Sequence, residues 1–514
     1  MKNRILLCLI LAAFSFAGAQ TAPVDTTGLG ALKHNVYSNY GSMETLATLC
    51  NVFGPRLMWS KGYNNAAAWI EKQLTEWGIP KVYSENINKK GKSWTLKKSY
   101  AAIVEPYAVN LIVNPKCWSP GTEGTIKSEA VYFKASKPEE FEKYKGRLKG
   151  KIVMLSDPIP FRLALRPMVV RFNDDTLNVL ANVTVPSAED KMKEKEIEEK
   201  NNKLYVEYFS FFAKKVAFCK EEGAALILDA GSRQYGTNIA WGNIAAVLPN
   251  DIFQFLIDYA GDPSIPESVP QMVVSVEQYN TIIDLLEKNK QVVIEANLDV
   301  EKNGVSDGFS VIAEIPGTDL KDEIVMLGGH LDSYTSANGV TDNGTGVVAC
   351  MEALRHIKSL GLQPRRTIRI ALWGAEEEGL IGSKYHIEKH FKSGNEKLCA
   401  YFNMDFGVGR FRGIYAEENT GAASVFKDWM AALNDPKFKT VCLSSVKNSD
   451  HQAFHDAGLP GFAFIQDPLD YFRIYHTNMD YIDRVPADDL NQNIYIMSAF
   501  AWLAANMKDG FPLN

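Results

Sequence analysis

The chain has 514 residues, of which 46% are hydrophobic and 23% charged, and a net charge of -6 at neutral pH. That length can bury a large core across two or three domains. The acidic balance, with no Lys/Arg stripe interleaved with aromatics, excludes the electrostatic footprint of a nucleic-acid binder.

Residues 1–19 read as an export signal: Lys2 and Arg4 precede an apolar run over 5–16, and the small residues Ala17, Gly18 and Ala19 follow it. The run is short of the ~20 apolar residues a spanning helix needs, so cleavage is expected, giving a periplasmic or secreted protein with no membrane attachment. Beyond Cys8 stand Cys50, Cys117, Cys219, Cys350, Cys399 and Cys442. No CxxC or Cys/His cluster is among them, which argues against a thiolate metal site and for burial as small apolar residues. Asn182 and Asn343 begin glycosylation sequons. A glycan on Asn343 would crowd the acidic residue before it, so this position is expected to be bare, in keeping with a bacterial exported protein.

Helical apolar spacing over 43–53 and 66–77, separated by the Gly54-Pro55-Arg56 turn, opens a main domain assigned to 20–106. From 107 to 300 the texture changes. Short β-rich runs at 108–113, 130–133, 151–155, 224–228 and 271–274 alternate with turn residues, as in a separate β-rich module. Within it, the Glu/Lys run over 188–203 has almost no apolar face and reads as a solvated helix or mobile loop. From 301 to 514 strand, loop and helix repeat: strands at 324–327, 367–373, 400–404 and 461–465, helices at 345–360, 380–391 and 487–507. The pattern predicts an α/β domain with a largely parallel sheet, split in sequence by the β-rich segment.

Five breaks beside those strands, GGHLDS, TDNGTG, GAEEEGL, NMDFG and YHTNMD, carry His330, Asp342, Glu376 with Glu377, Asp405 and His476. Ligands of open α/β sheets bind at the carboxyl ends of strands, where these groups can converge. A lone His or Asp at a strand end is usually structural; five such breaks together point to a metal site. Two histidines and several carboxylates suit two divalent ions, zinc before cobalt or manganese, sharing an activated water. Asp342, in a tight turn between the histidine-bearing segments, is the natural bridge. Adjacent Glu376 and Glu377 diverge, so one can ligate while the other serves as general base. Asp332 is placed to orient His330.

These motifs resemble the co-catalytic zinc exopeptidase family of double-zinc aminopeptidases and glutamate carboxypeptidases. The resemblance spans nearly the whole mature chain and includes the run from Gly361 to Glu377. It implies an α/β/α catalytic domain, with 107–300 as an inserted protease-associated domain. It further implies His330, Asp342 and Asp405 about one zinc, Asp342, Glu377 and His476 about the other, and Glu376 as base. A homodimer and short peptide substrates are implied as well. Here the segment Ser449-Asp450-His451 lacks the tyrosine that precedes its counterpart in the aminopeptidases, so Tyr471, Tyr475 and His451 are the candidate oxyanion donors. A carboxypeptidase or dipeptidase also needs a cation for the substrate carboxylate, for which Arg410, Arg412 and Arg473 are candidates. A scaffold that has lost turnover and a single-zinc cyclase are the competing readings; the intact ligand set and Glu376 argue against the first, and two bound metals would exclude the second.

Overall fold

A computed structural model describes residues 24–39, 41–245 and 261–512; the expected export signal lies outside them. Two eight-stranded sheets organise the chain. In the first, the strand order from one edge is Lys81–Lys92, Val305–Ile315, Arg366–Trp373, Leu320–His330, Lys397–Asn403, Gly461–Gln466, Phe411–Tyr415 and Thr440–Cys442. The central pairs, from Arg366–Trp373 through Gly461–Gln466, are parallel, whereas the first two pairs at the Lys81–Lys92 edge are antiparallel. The sheet is therefore mixed, with a parallel centre.

Alternation along the central strands builds three layers. Val325, Leu327, Ile368, Ile370 and Leu372 point into one core with the helices Thr345–Ser359 and Ala487–Asn506. Ile324, Met326, Ala371 and Trp373 point the other way, towards Ile387, Phe391 and Phe454. Strands covered on both faces read as unbroken apolar runs, which is why Arg366–Trp373 is buried at every position.

The second sheet runs Val109–Leu111, Thr95–Glu105, Val293–Glu301, Ile126–Tyr132, Ile152–Met154, Leu226–Ala230, Gln271–Val274 and Val113–Pro115. Thr95–Glu105 thus pairs with the second sheet, ahead of the composition change near 107. Its charged residues, Lys97 and Lys98 among them, face solvent and hide the strand from a hydrophobic scan. The Glu/Lys run forms the exposed half of the helix Ala188–Glu221, opened by a Ser187/Asp190 capping box. Only its later turns bury Ala213, Val216 and Cys219. All six described cysteines are buried free thiols. No helix among the described residues is long and apolar enough to cross a membrane.

Candidate metal centre

Three of the five predicted ligand segments sit where a central strand ends. His330 closes the strand Leu320–His330, Glu376 and Glu377 follow Arg366–Trp373, and Asp405 follows Lys397–Asn403. Asp342 precedes the helix Thr345–Ser359, and His476 lies just past the short helix Tyr471–Ile474. Their side chains meet in one cluster. His330 Nε2 lies 3.2 Å from Asp342 Oδ1 and 3.3 Å from Asp405 Oδ1, while His476 Nε2 lies 2.8 Å from Asp342 Oδ2 and 3.0 Å from Glu377 Oε2. Asp342 therefore turns one oxygen to each imidazole, the arrangement a bridging carboxylate requires. Glu376 Oε2 stands off at 4.0 Å from His330 Nε2.

The donor set fits divalent metal. Glu377 Oε1, Asp405 Oδ1 and Asp342 Oδ2 are buried yet accept no protein hydrogen bond of normal geometry. Buried carboxylate oxygens without donors are costly unless a cation meets them. Burial by itself would lower His330 and His476, but the surrounding carboxylates, Asp405 and Glu376 for one and Glu377 and Asp342 for the other, push both well above the ordinary histidine value. Burial, followed by the neighbouring Asp405 and Asp450, raises Glu376 despite the opposing pull of His330.

Asp332 acts through different atoms from those expected. Its backbone carbonyl, not its carboxylate, meets His330 Nδ1 at 3.0 Å; the carboxylate oxygen is 3.8 Å away. That carboxylate instead accepts the backbone N–H groups of Glu376 at 3.3 Å and Glu377 at 3.1 Å. Asp480, the last residue of the YHTNMD break, plays a similar part for the bridge, accepting from the N–H of Thr341 at 2.7 Å and of Asp342 at 3.3 Å. Asn343 is fully buried, with its side-chain amide donating to Met404 O and its oxygen accepting from Gly346 N, so no glycan can reach it.

The residues proposed to contact substrate separate into two groups. Tyr471 is buried, and burial, then the charges of Asp342 and Asp405, raise its phenol well above the ordinary value. Tyr475 stacks on it with ring centres 5.3 Å apart and packs edge-on against His476 at 4.8 Å. His451, by contrast, is wholly buried and hydrogen-bonded through Nε2 to the Val446 carbonyl at 2.9 Å. Arg410 is held by Asp489 of the closing helix, with Nη2 2.7 Å from the carboxylate. Arg410 is thus committed to an ion pair, whereas His451 keeps a buried Nδ1 without a hydrogen-bond partner. A further contributor arrives from the second sheet's side: Trp241, 45% exposed, packs edge-on against His476 at 4.7 Å and against Tyr334 at 5.7 Å. Nothing near Trp241 in sequence carries a metal ligand, so only the fold reveals it.

Residues 310–501 match the model of peptidase family M28. Over 485 residues the chain is 24% identical to carboxypeptidase Q of Mus musculus, covering 93% of this chain and 88% of that protein. The crystal structure of a peptidase M28 precursor from Shewanella amazonensis superposes with a TM-score of 0.65 at 24% identity, covering 95% of this chain and 98% of the other. The zinc aminopeptidase of Bacillus subtilis superposes with a TM-score of 0.55 at 17% identity, covering 91% and 95%. At such identities the structural likeness speaks for the fold, while the family match covers the segment that bears every predicted ligand. The match accordingly assigns the segment 310–501 to peptidase family M28, the zinc exopeptidases its motifs resemble, and the chain is a metallopeptidase.

Proposed function

We propose that the chain is an exported exopeptidase that hydrolyses short peptides at a site for two zinc ions. The observation that carries this reading is the split of the Asp342 carboxylate between His330 and His476, 3.2 Å and 2.8 Å away. His330, Asp342 and Asp405 would hold one ion, and Asp342, Glu377 and His476 the other. Bound zinc supplies Lewis-acid polarisation of the scissile carbonyl and a water acidified to near neutrality.

The chain's own residues do the rest. Glu376, close to the cluster but outside the shortest contacts, takes the proton of the attacking water and returns it to the leaving amine. Asp332 fixes the backbone of both glutamates, and Asp480 that of the bridging aspartate. Tyr471 supplies the phenol that hydrogen-bonds the developing oxyanion, a role supported by its stacking on Tyr475, which packs against His476. Trp241 and Tyr334 wall the His476 side and exclude water. The second sheet is read as the protease-associated insert, and the Lys2 to Ala19 segment as the basis of export.

Glu376→Gln tests the assignment. Turnover of a dipeptide should fall by ~10²–10⁴ with metal content unchanged, as for a lost general base. Glu377→Ala should instead lose metal, measured by plasma emission. Wild-type turnover in Glu376→Gln would refute the base assignment.

A further inference from the structure

An imidazole that ligates a metal through Nε2 carries its proton on Nδ1, and that N–H normally donates to a carbonyl, a carboxylate or a water, which fixes the ring and raises its basicity. The two histidines of the cluster differ in this respect. His330 Nδ1 meets the Asp332 carbonyl at 3.0 Å, whereas His476 Nδ1 is buried and has no hydrogen-bond partner among the described residues. Its ring is enclosed at steep angles by Trp241 and Tyr334, each 4.7 Å away, and by Tyr475 at 4.8 Å. A buried N–H left unmet is costly, which points to a small ligand that receives it.

A cavity of about 10 Å³ adjoins this ring, lined by His476, Ser336, Thr477, Asp480, Asp342 and Tyr334 among others. That is room for the centre of one water molecule. Its polar groups divide evenly into donors and acceptors. Ser336 Oγ, like His476 Nδ1, is buried without a partner, so both have a proton to give. The Asp480 carboxylate takes one peptide N–H on each oxygen, from Thr341 and Asp342, and keeps a lone pair on each. Thr477 Oγ1 donates to Ile474 O at 2.6 Å and accepts from Met479 N at 3.2 Å, which leaves it one accepting position. Two donors and two acceptors match the two lone pairs and two protons of a water. The loop that presents Ser336 is itself fixed, because Arg56 donates from Nη1 to Asn338 O at 2.9 Å and from Nη2 to Gly339 O at 2.7 Å.

We infer that this cavity binds one water that joins His476 Nδ1 to Ser336 and Asp480, and that Ser336 is a positioning residue for the metal site of Asp342, Glu377 and His476. The inference rests on the two-zinc reading above and deepens it, since it concerns how firmly the second ion is held. No covalent step is involved; the water relays the Asp480 charge to the imidazole and sets the ring's angle.

The test measures zinc dissociation constants on the full chain by chelator competition, with bound zinc counted by plasma emission. Wild type should bind two ions. Ser336→Ala removes one of the water's partners and should weaken one ion of the two by about 10-fold, and Ser336→Val, which fills the cavity, by up to about 100-fold, the range for outer partners of metal-bound histidines. The ion beside His330, whose Nδ1 partner is untouched, should keep its affinity. The melting temperature of the metal-free chain should be the same in Ser336→Ala as in wild type, and this milder variant carries the test if Ser336→Val fails to fold. A crystal structure of the zinc-loaded wild type should show the water within hydrogen-bond reach of His476 Nδ1. Two ions bound with affinities unmoved by Ser336→Ala, or a dry cavity in that crystal, overturn this inference alone. Equal weakening of both ions with a lower metal-free melting temperature assigns Ser336 to the fold and also overturns it. A wild-type chain that binds no zinc overturns the two-zinc reading and this inference with it.

Discussion

Replacing Asp332 with Asn isolates one load-carrying contact of the site. The side chain is fully buried, and its two oxygens take the N–H groups of Glu376 and Glu377 at 3.3 and 3.1 Å. Asn keeps one acceptor but turns an NH2 towards the second peptide N–H, so one charge-assisted bond is lost and a buried donor is left unmet. Together these cost about 2–4 kcal/mol. The His330 imidazole keeps its partner, because that partner is the Asp332 backbone carbonyl. Any loss must therefore pass through the glutamate turn, which already holds Ala375 at a left-handed φ of 58°. Displacement of base and ligand by a fraction of an ångström to an ångström should reduce kcat on a dipeptide by ~10²-fold. Steady-state kinetics with metal analysis measures this, and wild-type kcat in Asp332→Asn would refute the clamp.

Two other expectations follow from the packing. Glu85 is buried against His386 Nδ1 at 2.6 Å, His390 Nε2 at 2.7 Å and Lys389 Nζ at 3.0 Å. Burial alone would raise its acid, but the bonds from His386, His390 and Lys389 hold it far below the ordinary 4.5. A depressed acid contributes stability above its unfolded value and loses it as pH falls towards the folded one, so the wild-type melting temperature should drop below pH 4.5 more steeply than that of Glu85→Gln. Parallel melting curves would contradict this. Trp241→Ala should raise KM for a dipeptide about 5- to 10-fold through loss of the aromatic wall beside His476; unchanged KM at full metal content would count against it.

The ligand cluster was legible because most of its residues close or follow strands buried on both faces, where a His, Asp or Glu stands out against runs such as Thr367 to Trp373. Strand alternation and the closing helix were legible for the same reason. What the sequence hides is pairing across distance. Arg410 looks available until Asp489, far along the chain, is seen to hold it, and His451 looks reactive until the Val446 carbonyl is found on its ring. The edge strand Lys81–Lys92 and its neighbour Thr95–Glu105 are too charged on their solvent faces for apolar periodicity to mark them. Asp332 meets the site through its main chain as well as its carboxylate, and no spacing argument distinguishes those atoms.

The edge pair Lys81–Lys92 with Val305–Ile315 bears on the chain entropy of folding. Lys92 lies opposite Val305, so the two ends of the segment that carries the second sheet meet at neighbouring positions. Closing a disordered loop of about 210 residues costs ~5 kcal/mol in chain entropy, several times more than a short hairpin. A segment that has already folded brings its ends together and removes most of that penalty. Folding of the second sheet thus lowers the entropic cost of pairing the edge strands of the first.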